Sequence, residues 1–176
     1  MRACTTRRSF IRALRRSCPK PRPRKRTRSR EFALQVLYEI DVAGPSCREA
    51  LQDFWLDRSD LALSNSEKEA VEKDKQEPEI RQYTEQLVEG TLDKLTTIDP
   101  TIERYAENWE MDRMALVDRN ILRLAAYEML FVDDIPLKVA INEAVEMAKR
   151  YGEADSSKFV NGILDRIAKT ECKTKT

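Results

Sequence analysis

Apolar residues recur at every third or fourth position along most of the chain after residue 31, which is the spacing of one face of an α-helix. The pattern is clearest over residues 137–151, where apolar and charged positions lie on opposite sides of a helical wheel. The apolar side consists of Leu137, Ala140, Ile141, Ala144, Val145, Met147, Ala148 and Tyr151. This segment is therefore predicted to be an amphipathic helix with one buried face.

The residues that flank this helix predict how it begins and ends. Pro136 suits a helix start, because the N–H that proline lacks would be unpaired there anyway. Gly152 is predicted to end the helix in a left-handed conformation, and Asp155 or Ser156 to cap a second helix with its side chain. Gly162 lies inside this second helix, where glycine is unfavourable, and predicts the close approach of another backbone.

Other segments also show helical spacing, and no part of the chain shows the strict alternation of a strand. A short helix is predicted to begin with Asp99 as its cap and Pro100 in its first turn. Residues 57–77 are polar and charged, and fit a loop or a solvated helix. The longer predicted helices cover residues 32–43, 48–56, 79–97, 112–132 and the segment after Ser156.

Composition supports an all-α class and offers little for catalysis. The chain of 176 residues has only 4 Gly and is 36% charged, with abundant helix-forming residues. Asp118 and Glu128 interrupt the apolar face of the predicted helix over residues 112–132. We predict that each pairs with an arginine of a neighbouring helix. A catalytic acid would need a second group, but there is no His, nucleophile motif or Gly-rich phosphate loop nearby.

The four cysteines are scattered, without a C-x-x-C motif, and predict free thiols in a reducing cytoplasm. Without histidine their spacing suggests no zinc site, so neither a metal nor a cofactor is expected. No run of 18 apolar residues is present, so no membrane span is expected.

Charge is distributed very unevenly, although the net charge is only +1. Residues 1–30 contain 13 Lys and Arg and no acid, whereas residues 31–176 contain 19 Lys and Arg against 31 Asp and Glu. A basic arm on an acidic body is the pattern of a protein that binds a polyanion at one end.

Residues 1–24 lack core potential, and their proline-rich run cannot be helical. Three interpretations stay open: a disordered extension or a start codon assigned too far upstream, an organellar transit peptide, and a nucleic-acid-binding arm. The predicted organisation is this basic extension, a single all-helical domain over residues 25–170, and a frayed tail over 171–176. The expected location is the cytoplasm, or an organellar stroma or matrix if the extension is a transit peptide.

Arginines cluster where the first helix begins. Cations at a helix N-terminus oppose the helix dipole, so the cluster indicates an external anion that compensates them. Tyr38 falls outside the apolar arc of this helix and is predicted to be exposed. Arginine for phosphate and an aromatic ring for base stacking is the combination found in sites for single-stranded RNA.

Two stretches carry a resemblance to a known family. INEAVEMAKRYG at residues 141–152, followed by SKFVNGILD at residues 157–165, resembles the C-terminal signature of the NusB family of bacterial transcription antitermination factors. RTRSREFALQVLY at residues 26–38 is similar to the arginine-rich start of the family's first helix. The resemblance implies about seven helices in two small packed bundles, and a non-catalytic protein.

The resemblance also implies partners and a site. The family binds boxA-type single-stranded RNA with the ribosomal protein NusE and joins the RNA polymerase elongation complex on ribosomal RNA operons. The implied RNA-binding residues are Arg26, Arg28, Arg30, Tyr38, Tyr151, Asp155, Lys158 and Phe159. We expect the arginines to lie beside the joint between the last two helices. Alternatives are a protein–protein adaptor and an isolated RNA-binding module of the RNA methyltransferase type; homodimer formation is left open.

Overall fold

The computed structural model describes residues 25–56, 73–74, 77–107 and 109–172. Over these ranges it contains α-helices and one 3-10 turn, Met111–Arg113, and no strand, which confirms the all-α class. The predictions for residues 1–24 and 173–176 and for most of the polar segment 57–77 lie outside the described residues. The α-helices are α1 (Lys25–Ala43), α2 (Cys47–Leu56), α3 (Pro78–Asp93), α4 (Leu95–Tyr105), α5 (Leu116–Phe131), α6 (Leu137–Tyr151) and α7 (Ser156–Thr170).

The chain divides into two compact units, Met1–Gln86 and Leu87–Thr176. In the first unit an aromatic cluster joins α1 to α2. The ring of Phe32 lies 5.2 Å from Phe54 and 6.1 Å from Trp55, both edge-to-face. Hydroxyl groups connect α1 to the start of α3, because Ser29 Oγ donates to the carbonyl of Ile80 at 3.1 Å.

The second unit contains the end of α3 from Leu87 together with α4 to α7, and it has a continuous apolar core. In the predicted helix over 112–132, apolar residues at helical spacing are buried, although Val117 is only partly buried. In α7 the buried apolar residues are Val160, Ile163, Leu164 and Ile167. The largest fully buried apolar side chains of this unit are Leu87, Ile98, Ile102, Ile121, Leu122, Leu124, Met129, Leu164 and Ile167.

Three helix boundaries differ from the prediction. Helix α5, predicted from residue 112, begins at Leu116 after the 3-10 turn Met111–Arg113. Helix α1 begins at Lys25, so the arginine cluster lies within its first turns rather than ahead of it. The predicted helix over 79–97 is divided at Lys94, whose carbonyl accepts from the N–H groups of Thr97 and Ile98, both at 2.9 Å, and begins α4. Pro100 therefore lies inside α4.

The predicted capping role of Asp99 is wrong because its carboxylate is used elsewhere. Arg123 of α5 donates to both oxygens of Asp99, from Nε at 2.8 Å and from Nη2 at 2.7 Å. Such a two-point contact is geometrically specific and fixes α4 against α5.

Residues 171–172, the described part of the predicted tail, contact the second unit. Glu171 Oε1 accepts from Arg104 Nη1 at 2.8 Å and from the Tyr105 hydroxyl at 2.7 Å. Cys172 is buried, with its Sγ 3.7 Å from the carbonyl of Met129. These contacts anchor residues 171–172 to the second unit.

Close packing requires glycine at a position that the sequence did not single out. A Cβ at Gly90 would overlap the Oη and Cζ atoms of Tyr127, whose ring crosses α3 at this point. Tyr127 is 9% exposed and stacks on Phe131, so its ring has little room to move.

Gly162 is the opposite case: it is exposed, and nothing in the described chain lies within 4 Å of where its Cβ would be. The predicted close approach of a backbone at Gly162 is therefore wrong within this chain.

The two glycines provide a matched test of packing. Gly90→Ala should lower the free energy of unfolding by about 1–2 kcal/mol, because overpacking outweighs the gain in helix propensity. Gly162→Ala should raise it by about 0.5–1 kcal/mol, because the propensity gain is unopposed there. Urea denaturation followed by circular dichroism measures both. Equal stabilisation by the two substitutions would show that Tyr127 does not pack against Gly90.

Candidate nucleic-acid interface

A buried hydroxyl group organises the joint between α6 and α7. Ser156 Oγ accepts from the backbone N–H of Glu153 at 2.8 Å and donates to Asp118 Oδ2 at 2.7 Å. Ser156 is 4% exposed and Asp118 is 7% exposed. One side chain therefore connects the joint to the middle of the second unit through α5.

Gly152 makes this arrangement possible by leaving room for Ser156. A Cβ at Gly152 would lie 2.6 Å from Ser156 Oγ and 2.8 Å from the carbonyl of Ala148. Its φ is −87°, so the predicted left-handed conformation is wrong. Glycine is needed here because a side chain would not fit.

The predicted side-chain cap of α7 is also absent. Asp155 occupies the N-cap position without a side-chain capping hydrogen bond, and the Ser156 hydroxyl contacts Glu153 and Asp118 instead. The backbone carbonyl of Asp155 accepts from the N–H groups of Lys158 and Phe159, both at 3.1 Å.

Asp118 lies in an unfavourable environment for a negative charge. Burial raises the pKa of its carboxyl above the ordinary 3.8, the hydrogen bond from Ser156 opposes this, and the charge of Glu153 adds to it. Among the described residues Asp118 Oδ1 has no hydrogen-bond partner. The predicted pairing with an arginine is wrong for Asp118, since Ser156 contacts the carboxylate and the nearby Arg123 contacts Asp99.

The exposed side of the joint carries two of the predicted RNA-binding residues. The side chains of Asp155 and Lys158 are 85% and 83% exposed, and they form an ion pair at 3.2 Å. An exposed pair of this kind contributes little to stability, so either partner can exchange it for a ligand. Phe159 is half-buried beside them. Tyr151 is only 9% exposed, and the guanidinium of Arg150 lies 5.7 Å from its ring centroid, so little of the ring faces solvent.

Sequence reasoning missed the neighbour of Phe159. The ring of Trp109 packs edge-to-face on Phe159 with centroids 5.6 Å apart, and Trp109 is 49% exposed. Its backbone N–H donates to the carbonyl of Ala106 at 2.8 Å, in the turn that follows α4. The backbone of Trp109 is thus held in the turn, whereas half of its side-chain surface is open. The signal available in the sequence was a tryptophan surrounded by polar residues.

The other predicted residues lie on α1, in the first unit, with the three arginines near its start and Tyr38 further along it. Lys25 Nζ pairs with Glu77 at 2.6 Å and Glu79 at 2.9 Å, and the hydrogen bonds that it donates to these two carboxylates raise the pKa of Lys25. Arg28 donates from Nη1 to Glu31 at 3.0 Å and from Nε to Asp74 at 3.1 Å.

Arg28 is therefore compensated from inside the protein. Its guanidinium also lies 4.6 Å from the ring centroid of Phe32, and its side chain is only 18% exposed. The inference that this arginine needs an external anion is wrong, because Glu31 and Asp74 supply the negative charge. Contact between Arg28 and RNA stays a prediction, but the need for an external anion no longer supports it.

The remaining residues of this group differ in exposure. Arg26 is exposed and its guanidinium lies 5.2 Å from the ring centroid of Tyr83, whereas Arg30 is 2% exposed and lies 6.0 Å from the same ring. Tyr38 is 5% exposed, and burial raises the pKa of its hydroxyl. Its predicted exposure is wrong because α1 is buried nearly all round: residues 29–34 and 36–38 are all buried.

Three of the eight predicted residues, Arg26, Asp155 and Lys158, are thus well exposed. The predicted set falls into two groups, one in each compact unit, and the proximity of the two groups stays a prediction.

Comparison with known proteins identifies the family. A model of the NusB family matches residues 27–169. The transcription antitermination protein NusB of Anaeromyxobacter sp. (strain Fw109-5) is 49% identical over 142 residues, which cover 81% of this chain and 88% of the relative. The NusB protein of Bacillus subtilis (strain 168) is 43% identical over 139 residues, which cover 79% and 91%. The chain belongs to the NusB family.

Solved structures agree with this assignment. The chain is similar to NusB of T. maritima, with a TM-score of 0.70 and 34% identity, covering 90% of this chain and 97% of that one. It is also similar to a chain in the crystal structure of the antitermination factors NusB and NusE in complex with dsRNA, with a TM-score of 0.65 and 28% identity, covering 82% and 96%.

The NusB family match places both sequence signatures in one matched region, apart from Arg26, which immediately precedes it. Among the described residues no group of three or more potential metal ligands occurs. None of their helices is long and apolar enough to cross a bilayer.

The Ser156 contacts predict a loss of stability on substitution. Ser156→Ala removes the acceptor for the Glu153 N–H and the donor to Asp118, and leaving such buried groups unpaired should cost about 1–3 kcal/mol. Ser157→Ala is the matched control at the next position and should change the free energy of unfolding by less. Chemical denaturation compares the two. An equal effect at both positions would contradict an organising role for Ser156.

Asp118→Asn should show a pH-dependent stabilisation. Because the pKa of Asp118 is raised in the folded state, folded chains bind more protons than unfolded chains between the two pKa values. The contribution of Asp118 to stability is therefore most favourable below about pH 3.9 and is lost as pH rises through the folded pKa.

The difference in the free energy of unfolding between Asp118→Asn and the wild type should thus increase as pH rises between the unfolded and folded pKa values. Urea denaturation at a series of pH values measures this difference. Asp112→Asn, at an exposed side chain, controls for the loss of one negative charge. A gain that does not vary with pH would rule out the burial of an ionisable carboxyl as its cause.

Proposed function

We propose that this NusB-family chain is a transcription antitermination factor that binds boxA-type single-stranded RNA together with the ribosomal protein NusE. In this proposal the complex joins the RNA polymerase elongation complex and supports transcription of ribosomal RNA operons. The role is binding and involves no catalysis.

The exposed first turn of α7 is the observation that carries the proposal. Lys158 and Asp155 project from it into solvent, and Phe159 lies beside them, within the segment that resembles the family signature. Lysine supplies a cation for phosphate, and a carboxylate accepts from base amino groups. The similarity to a chain from a complex of NusB, NusE and dsRNA supports RNA and NusE as partners.

The contacts of α1 change which arginines the proposal relies on. Arg26 is exposed, whereas Arg28 is held by two carboxylates and Arg30 is buried. We therefore assign phosphate contact to Arg26 and Lys158, and a largely structural role to Arg28 and Arg30. Two phosphate contacts correspond to a slope of about −1.4 in log K against log salt, or roughly sevenfold weaker binding at 200 mM than at 50 mM. Three contacts would give a slope of about −2 and roughly 20-fold.

A protein–protein adaptor is the second candidate. The internal pairing of Lys25 and Arg28 favours it, since those cations are not free for phosphate. The acidic body, with 31 Asp and Glu against 19 Lys and Arg over residues 31–176, suits a basic protein partner.

Arg26→Ala tests the proposal through salt dependence. The slope of log K against log salt for a boxA-like RNA, measured by fluorescence anisotropy, should become less steep by about 0.7, because one phosphate contact is lost. Arg113→Ala removes an arginine whose side chain is 75% exposed in the second unit, and should leave the slope unchanged.

The outcomes separate the two candidates. An unchanged slope in Arg26→Ala would exclude a phosphate contact at this residue. A wild-type chain that binds NusE but shows no affinity for the RNA at low salt would support the adaptor instead.

A further inference from the structure

Trp109 has no role in the function proposed so far, and Phe159, on which it packs, enters that function only as the neighbour of Asp155 and Lys158. Large apolar side chains are exposed at four described positions, and single exposures of this kind are common in proteins. Two of these positions, Trp109 and Phe131, contact another aromatic ring, which is Phe159 for Trp109 and Tyr127 for Phe131. The four positions are Leu56, Trp109, Phe131 and Val139.

The loop that carries Trp109 is held along one face of α7. Arg166 donates from Nη1 to the carbonyl of Tyr105 at 3.3 Å and pairs with Glu107 at 2.9 Å. Phe159 and Arg166 are seven residues apart, which places them on the same side of the helix two turns from each other. The loop is thus fixed through Arg166 at one point and Phe159 at the other, so Trp109 is positioned before any ligand arrives.

The exposed ring of Phe131 does not offer a comparable surface. Tyr127 stacks on it with centroids 5.9 Å apart, and the ammonium of Lys94 lies 6.0 Å from its centroid. Its surroundings are therefore already occupied by an aromatic ring and a cation. Among the described residues the Trp109 ring makes one aromatic contact, edge-to-face with Phe159, and half of its surface stays open.

Charges near the Trp109–Phe159 pair are mixed. Lys158 is exposed next to Phe159, but Glu107 and Glu110 are exposed on either side of Trp109, with side chains 73% and 74% accessible. The ring of Trp109 is bordered by two carboxylates and is therefore less suited to a phosphate than Lys158, to which a phosphate contact is assigned above. An open aromatic ring among mixed charges suits an uncharged planar group.

We propose that Trp109, supported by Phe159, stacks on an unpaired base of the bound RNA. The inference rests on the proposed function and adds a residue to its binding surface. A base is favoured over a protein partner because the apolar area amounts to one aromatic pair bordered by charged residues, whereas protein interfaces bury far larger surfaces.

Trp109→Ala in the full chain tests the inference. Binding of a boxA-like single-stranded RNA should weaken roughly ten- to a hundredfold, because one stacking contact is lost. The salt slope should stay the same, since no phosphate contact is removed. Trp109→Phe should retain most of the affinity. Phe131→Ala removes another exposed aromatic side chain of the same unit and should bind like the wild type. Circular dichroism checks that each variant is folded.

Tryptophan emission provides an independent readout. The chain has two tryptophans, Trp55 and Trp109. RNA should quench the emission of the wild type but not that of Trp109→Phe. Equal quenching in both, or equal affinity in wild type and Trp109→Ala, would overturn the stacking role.

The failure of this inference can be told apart from the failure of the proposed function. If the wild type does not bind the RNA at all, the proposed function fails. If the wild type binds and Trp109→Ala binds equally well, only the stacking role fails. Loss of NusE binding by Trp109→Ala with RNA affinity intact would assign the aromatic pair to a protein contact and contradict the proposal.

Discussion

The joint between α6 and α7 depends on one buried hydroxyl group. Ser156 links the Glu153 amide to the Asp118 carboxylate, and Gly152 is the residue that lets it approach. Because the partners of Ser156 are inside the second unit, the first turn of α7 has a defined position relative to α5. The buried contacts of Ser156 therefore also fix the positions from which the exposed side chains of that turn extend into solvent.

Charge compensation at the start of α1 follows the same physical rule. A cation in a partly buried position needs a nearby carboxylate, and Arg28 has two, Glu31 and Asp74. The basic cluster therefore contributes to the structure of the first unit as well as to its surface potential. This dual role is why the number of arginines overstates the number of available phosphate contacts.

Periodicity predicted most of the fold because helix burial follows residue spacing. The apolar faces of α5, α6 and α7 could be derived in this way, and so could the all-α class. The predicted helix boundaries were wrong where a residue distant in sequence contacts the predicted capping residue. Asp99 would be a good cap in isolation, but Arg123, 24 positions later, takes its carboxylate. Tyr38 looked exposed on a helical wheel, yet α1 is buried nearly all round. The candidate site was only partly predictable for the same reason. Trp109 packs on Phe159, which is 50 positions away, and residue spacing does not reveal that contact.

The internal pairing of Lys25 and Arg28 also affects how fast a polyanion would approach this end of the chain. A cation beside a carboxylate produces a field that decays quickly with distance, because the two charges largely cancel. Long-range attraction then depends more on the nine Lys and Arg that the sequence holds in residues 1–24. In the proposed RNA complex, charges of this kind affect the rate of encounter, whereas close contacts affect how long the complex lasts.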